Sequence, residues 1–202
     1  MKHQKCFGEI FLEKREYKNA IEIYTNSVKY YPENYEIYYN LGVCYSMIND
    51  FAIARKCFQK TVEINDDMYL AYYRLGQIAL LYREFDTAEI NFSKSIYKEK
   101  EAKAYIELAK IHIMKNQKEK AILAVNNALK VESDCYGMIE QEPIFFSIKN
   151  LISKPEKESK IEILETKQEK QIDEYLKDTY NLTKILNSKK EIKQVITENK
   201  ET

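Results

Sequence analysis

Along residues 1–133, apolar side chains recur every three or four positions, in blocks of about a dozen residues separated by short polar breaks such as MINDF (47–51) and YREFD (82–86). That spacing predicts amphipathic helices, and the short breaks predict that successive helices fold into antiparallel hairpins. Within the pattern, Gly8, Gly42 and Gly76 stand 34 residues apart. Ala20, Ala54 and Ala88 keep the same interval, as do Tyr24, Phe58 and Phe92 near the middle of each second helix. Phe7, Leu41 and Leu75 precede the glycines; Gln4, Tyr38 and Tyr72 lie three residues earlier; Tyr17, Phe51 and Phe85 recur near the turns. A fourth copy carries Tyr105, Leu108, Ala109, His112, Ala121, Val125 and Ala128 in the same order with one residue missing, expected near KEKEA (98–102). Several positions in step over three units predict a repeat architecture.

YYNLGVCY (38–45) followed by AIARKCF (52–58), and YYRLGQIA (72–79) followed by AEINF (88–92), resemble the tetratricopeptide repeat family. Its pattern runs aromatic, Leu-Gly, aromatic, then Ala, aromatic and Ala, with a closing proline in many copies. The resemblance implies an all-α fold, a right-handed α-α superhelix (solenoid) of about four helical-hairpin repeats at residues 1–34, 35–68, 69–101 and 102–133. The physics agrees, because small residues let helices approach where they cross, and a hairpin can bury its second face only against a neighbour. Pro32 in YYPENY (30–35) is placed to stop a helix, and NDDM (65–68) is expected to do the same by turn chemistry.

After Val131 the landmarks cease. Residues 134–152 read as a capping segment for the open end of the stack, with Gly137 as a break and Pro143 opening a short helix that carries Ile144, Phe145, Ile148 and Leu151. The polar stretch 153–159 is a linker. Residues 160–202 form an amphipathic pattern with Ile161, Leu164, Ile172, Tyr175, Leu182, Ile185, Ile192 and Ile196 on an imperfect seam. A helix lying back on the repeats, a self-associating coiled coil through 160–198, and a partly disordered tail remain open for it.

Composition narrows the function. Thirty-two basic and 32 acidic residues cancel, so there is no excess of positive charge to attract nucleic acid or an anionic membrane. Four glycines and three prolines leave little turn material for many strands. No run of about 18 apolar residues and no signal-type N-terminus occurs, which argues against a membrane span in this chain. Cys6, Cys44, Cys57 and Cys135 form no CxxC pair, and a reducing, cytoplasmic setting is expected. His3 and His112 are the only histidines, and His112 occupies a core slot. Neither a metal site nor a nucleophile–base pair can be assembled, no phosphate-binding glycine loop is present, and no cofactor and no enzyme activity are expected.

The family resemblance implies that the first helix of each hairpin lines a concave groove. Carried over position by position, the groove residues are Lys5 in the first unit, Tyr39, Asn40 and Val43 in the second, Tyr73, Arg74 and Gln77 in the third, and Ile106 and Lys110 in the fourth. Tyr39, Tyr73 and Ile106 share one slot and suggest a stripe for alternate side chains of a peptide, while Asn40 and Arg74 suit its polar groups. The expected function is an intracellular protein–protein interaction adaptor whose partner is a peptide or protein segment. A scaffold self-associating through its C-terminal helix is one alternative. Another is the carboxylate clamp of co-chaperone relatives, whose positions here are Lys5, Glu9, Asn40, Leu70 and Arg74; Glu9 and Leu70 depart from that clamp, and Glu9 opposes a carboxylate.

Overall fold

The computed structural model describes the backbone of residues 2–152 and the side chains from Phe7 onward. The linker at 153–159 and the amphipathic segment at 160–202 therefore lie outside the described residues. Two compact units divide the chain, residues 1–91 and 92–202.

The first unit contains α1 (Lys2–Glu13), α2 (Tyr17–Tyr30), α3 (Tyr35–Met47), α4 (Phe51–Ile64), α5 (Tyr69–Leu81) and the start of α6 (Phe85–Lys98). From α1 to α5, each helix packs against the next. Each stop has a local cause. Pro32 follows the end of α2, where the next helix turn would need the amide hydrogen that proline lacks. Asn34 caps α3 by accepting from the amide of Glu36 at 3.0 Å, and Asp50 caps α4 by accepting from that of Ile53 at 3.2 Å. Past α4, Asn65 accepts from the amide of Asp67 at 3.0 Å, and Tyr72 donates its hydroxyl to Asp66, so the NDDM turn closes as its composition predicts.

Every hairpin turn has the same backbone form. Arg15, Asn49, Arg83 and Asn116 all have φ between 57° and 63°, in the left-handed region. At each, that residue's amide bonds the carbonyl three back and the next amide bonds the carbonyl five back: Arg83 to Leu80 and Glu84 to Ala79, both at 2.9 Å, are one example. This is the Schellman closure of a helix C-terminus, and glycine is the residue it favours. None of the four turns uses glycine, so two arginines and two asparagines carry the strain.

Two apolar clusters fill the first unit. Ala20, Tyr24, Ile37, Leu41, Cys44 and Cys57 form one, packed by Phe11, Leu12 and Ile21. Ala54, Phe58, Ala71, Tyr72, Leu75 and Ile78 form the other, packed by Tyr39 and Val43. Fully burying a side chain such as Phe58 stabilises the fold by roughly 1.5–3 kcal/mol.

In the second unit, α7 (Ala102–Met114) and α8 (Lys118–Val131) form the fourth hairpin. Three residues, Glu99 to Glu101, separate α6 from α7, whereas four separate α4 from α5, so the missing residue of the fourth copy falls in KEKEA. After α8 come a 3-10 turn (Ser133–Cys135), α9 (Tyr136–Gln141) and two more 3-10 turns (Pro143–Phe145 and Lys149–Leu151). The helix of the capping segment therefore precedes Pro143, and Gly137 lies inside it without breaking it. Pro143 opens only a 3-10 turn, because the chain reopens at Ile148 (φ −124°, ψ 0°) before a helix can propagate. Ile139, Phe145, Ile148 and Ile152 are buried, in place of the expected set that included Ile144 and Leu151; Leu151 is 60% exposed. The Ser133–Cys135 turn packs on α8 and the Pro143–Phe145 turn on α7.

Candidate functional site

In the first unit the glycine positions prove to be helix crossings. A β-carbon on Gly8 would lie 2.6 Å from Tyr24 Cζ, and one on Gly42 would lie 2.8 Å from Phe58 Cε1. In these two hairpins the first helix is thus drawn onto the aromatic of the second. Gly76 is likewise buried.

The assigned residues differ in what they already touch. Lys5 is in α1, with its side chain outside the described set. Tyr39 is half-buried, with its ring 5.6 Å from that of Phe58 and tilted by 56°, so it serves the core as well as the surface. Val43 packs beside it on the same cluster. Asn40, Tyr73, Arg74 and Gln77 are half-buried, and Arg74 Nη1 donates to Gln77 Oε1 at 3.0 Å. This hydrogen bond, one helical turn long, holds the guanidinium along α5. In the second unit, Ile106 is buried among core residues. Lys110 is engaged there: its ammonium lies 2.7 Å from Glu142 and 3.3 Å from Glu107, tying α7 to the capping segment. Burial works to lower its pKa, but Glu142 and Glu107 outweigh it and leave the value raised. Leu70 is half-buried on α5, and Glu9, on α1, is half-buried beside the Gly8 crossing.

Two features lay beyond sequence reasoning. Arg55 on α4 reaches the turn after α5, where its guanidinium pairs with Glu84 at 3.0 Å and stacks 5.0 Å from the Tyr82 ring centre. Arg55 and Glu84 are not in equivalent repeat slots, so no periodic signal joins them. The hydroxyl of Tyr24 is the second. It is buried beside Asn40, and the only hint in the sequence is that the equivalent slots hold Phe58 and Phe92. Burial raises its pKa well above the ordinary tyrosine value, the charges of Cys44 and Glu9 add to that, and Asn40 opposes it.

The chemistry of the described residues is otherwise quiet. Cys44, Cys57 and Cys135 are buried free thiols, and burial pushes Cys44 and Cys57 up to about 11, so both are protonated and unreactive at neutral pH. His112 is buried, with Nδ1 3.0 Å from Gln117 Oε1 at the α7–α8 turn. Among the described residues, no group of three or more His, Cys, Asp or Glu side chains is placed to hold a metal ion, and no helix is long and apolar enough to cross a membrane.

Residues 11–77 match the family described as Tetratricopeptide repeat. Hsp70-Hsp90 organizing protein 2 of Arabidopsis thaliana is 25% identical over 89 residues, covering 44% of this chain and 16% of that protein. BBSome complex member BBS4 of Mus musculus is 32% identical over 80 residues, covering 40% of this chain and 15% of that protein. The chain thus spans about a sixth of the length of these curated relatives. Among solved structures, MamA from Desulfovibrio magneticus RS-1, residues 41 to the end, superposes with a TM-score of 0.65 at 15% identity, over 93% of this chain and 95% of that one. YrrB, described as a TPR protein with an unusual peptide-binding site, superposes with a TM-score of 0.57 at 22% identity, over 63% of this chain and 66% of that one. At such identities the likeness is one of fold, and the fold is the one that the 34-residue period demands. The period is realised as glycine-on-aromatic crossings at α1–α2 and α3–α4, so residues 11–77 match the tetratricopeptide repeat family in sequence and the chain shares the fold of the solved structures named above.

Proposed function

We propose that the chain is a protein–protein interaction adaptor that holds a segment of another protein against the first helices of its hairpins, α1, α3 and α5. The observation that carries this reading is the state of Asn40, Tyr73, Arg74 and Gln77: all are half-buried, on consecutive first helices. A surface of rigid aromatic rings with amide and guanidinium groups between them is suited to bind an extended peptide, the rings supplying contact area and the polar groups meeting its backbone. Tyr39 and Val43 support the floor of that surface through their packing on the core around Phe58. YrrB, which shares the fold, is described as having a peptide-binding site, and the organizing proteins among the relatives share the repeat. Lys5 holds the corresponding slot of α1. Ile106 and Lys110 hold the matching slots of α7, where they contribute through the core and the Glu142 pair. Buried free thiols at Cys44, Cys57 and Cys135 support a reducing compartment, the cytoplasm, as the setting.

The test is crosslinking of the full chain in cell extract, comparing wild type with Tyr73→Ala/Arg74→Ala. Neither residue is fully buried, so the variant should keep its helicity while losing its crosslinked partners. An unchanged partner set in a folded variant would overturn the reading.

A further inference from the structure

The fourth hairpin carries a piece of the chain's own on its first helix. Counting the period with its one missing residue, Lys110 of α7 holds the slot of Val43 in α3 and Gln77 in α5. Its ammonium lies 2.7 Å from the carboxylate of Glu142, in the capping segment. Three residues on, Phe145 is buried, and the Pro143–Phe145 turn that carries it packs on α7. The amide of Phe145 donates to the Glu142 carbonyl at 3.0 Å, which sets the two residues one short turn apart. The stretch from Glu142 to Phe145 is thus held on α7 through a carboxylate at one end and the turn of a buried ring at the other.

Around that stretch the chain forms a strap with a separate base. Ile139 before it and Ile148 after it are buried, and Glu140 pairs with Lys149 at 3.2 Å across the two ends. The tip can therefore leave α7 while the base keeps its own contacts. The hold on α7 is modest, because Glu142 is 40% exposed and solvent screens its pair with Lys110. Glu107, one turn back on α7, lies 3.3 Å from the same ammonium, so Lys110 keeps a carboxylate partner when Glu142 departs. Lifting the tip thus avoids leaving a part-buried charge unpaired, the cost that locks many such contacts. What it uncovers is the seat of Phe145, an apolar site beside a cation.

We infer that the stretch from Glu142 to Phe145 is an internal ligand of the fourth unit, holding a place on α7 for an external segment that carries a carboxylate and, three residues later, an aromatic ring. The inference rests on the adaptor reading and adds to it a partner chemistry and a control. The incoming carboxylate takes Lys110 and the ring takes the seat of Phe145, whereas a basic residue in the first position would meet the ammonium. The control is the tether. The tip belongs to the chain, so its local concentration is on the order of millimolar, and a segment of the same chemistry must outcompete it. Weakening the strap therefore strengthens the binding of a partner, the reverse of what removing a contact residue does.

The probe is a peptide of residues 141–147, QEPIFFS, labelled with fluorescein at its N-terminus, amidated, and titrated with the full chain by fluorescence anisotropy. Its affinity should rise about threefold with Glu142→Gln and about tenfold with Glu142→Gln/Phe145→Leu, since each change loosens the strap and leaves the seat intact. Adding Lys110→Met to the double variant should remove most of the gain, as should a peptide with Gln for its Glu or Ala for its first Phe. A lower thermal midpoint without tighter peptide binding marks a purely structural cap and would overturn the inference. So would a gain that survives Lys110→Met or the altered peptides. The partner set crosslinked to Tyr73→Ala/Arg74→Ala is read separately. Partners lost there while the peptide gains nothing would overturn the strap alone, and an unchanged set would overturn the adaptor reading and the strap's role with it.

Discussion

Gly42 and Phe58 occupy one crossing so tightly that a single methyl group on the glycine would stand 2.8 Å from the ring. Phe58 is fully buried and cannot swing away. Gly42→Ala is therefore expected to destabilise by about 1–3 kcal/mol, despite alanine's better helix propensity. Phe58→Leu should recover part of the loss by opening the contact. Gly137 supplies the contrast: it lies within α9 with nothing within 4 Å of a β-carbon, so Gly137→Ala should stabilise by about 0.5–1 kcal/mol. Thermal melts followed by circular dichroism would check both signs, and equal effects at the two glycines would refute the crossing argument.

Arg83 takes a left-handed conformation, φ 57°, to close the α5–α6 turn. An ordinary side chain there costs about 1–2 kcal/mol, which glycine avoids. Arg83→Gly should raise the thermal midpoint by a few degrees, and Arg15→Gly should act in the same direction. A fall in the midpoint at both would show that the arginines make contacts worth more than the strain.

Arg55 and Glu84 form a pair that is about one-third exposed, 29% and 37% by side chain, so solvent screening takes much of its value. A double-mutant cycle with Arg55→Met and Glu84→Gln should give a coupling of about 0.5–1 kcal/mol. The coupling should shrink in 1 M salt, whereas the Arg55 contact with Tyr82 should persist better as a packing term. Salt-insensitive coupling would contradict an ionic origin.

Alkaline stability follows from the thiols. Burial raises Cys44 and Cys57 from an ordinary 9.0 to about 11, so the unfolded chain ionises first and the folded chain keeps its protons. Stability from this source is complete below about pH 9 and is lost as pH rises through about 11. Lys110, also raised, loses its contribution in the same direction above the ordinary lysine value of 10.5. Urea midpoints at pH 7.5 and pH 10.5 should fall more for wild type than for a Cys44→Ala/Cys57→Val variant. Parallel declines would remove the thiols from the account.

What the sequence determined by itself was everything that repeats. Helical geometry places residues of fixed spacing on one face, so Gly8, Gly42 and Gly76, with the aromatics sixteen residues later, were enough to predict an all-α stack of helical hairpins. The stops at Pro32 and Asn65 were legible because turn chemistry is local. The residues of the candidate groove were legible as slots, but the sequence could not tell that Tyr39 leans on Phe58, that Ile106 is buried or that Lys110 is held by Glu142. Tertiary structure alone decided the pairings outside the period: Arg55 with Glu84, 29 residues apart, and the Tyr24 oxygen against α1 at Gly8. It also chose the buried face of the capping segment, where Ile148 and Ile152 prevail over Leu151 because a broken chain of short turns has no period to read. Periodicity encodes which face a residue occupies; which side chain it meets there depends on the approach of two helices, a distance that no spacing along one chain specifies.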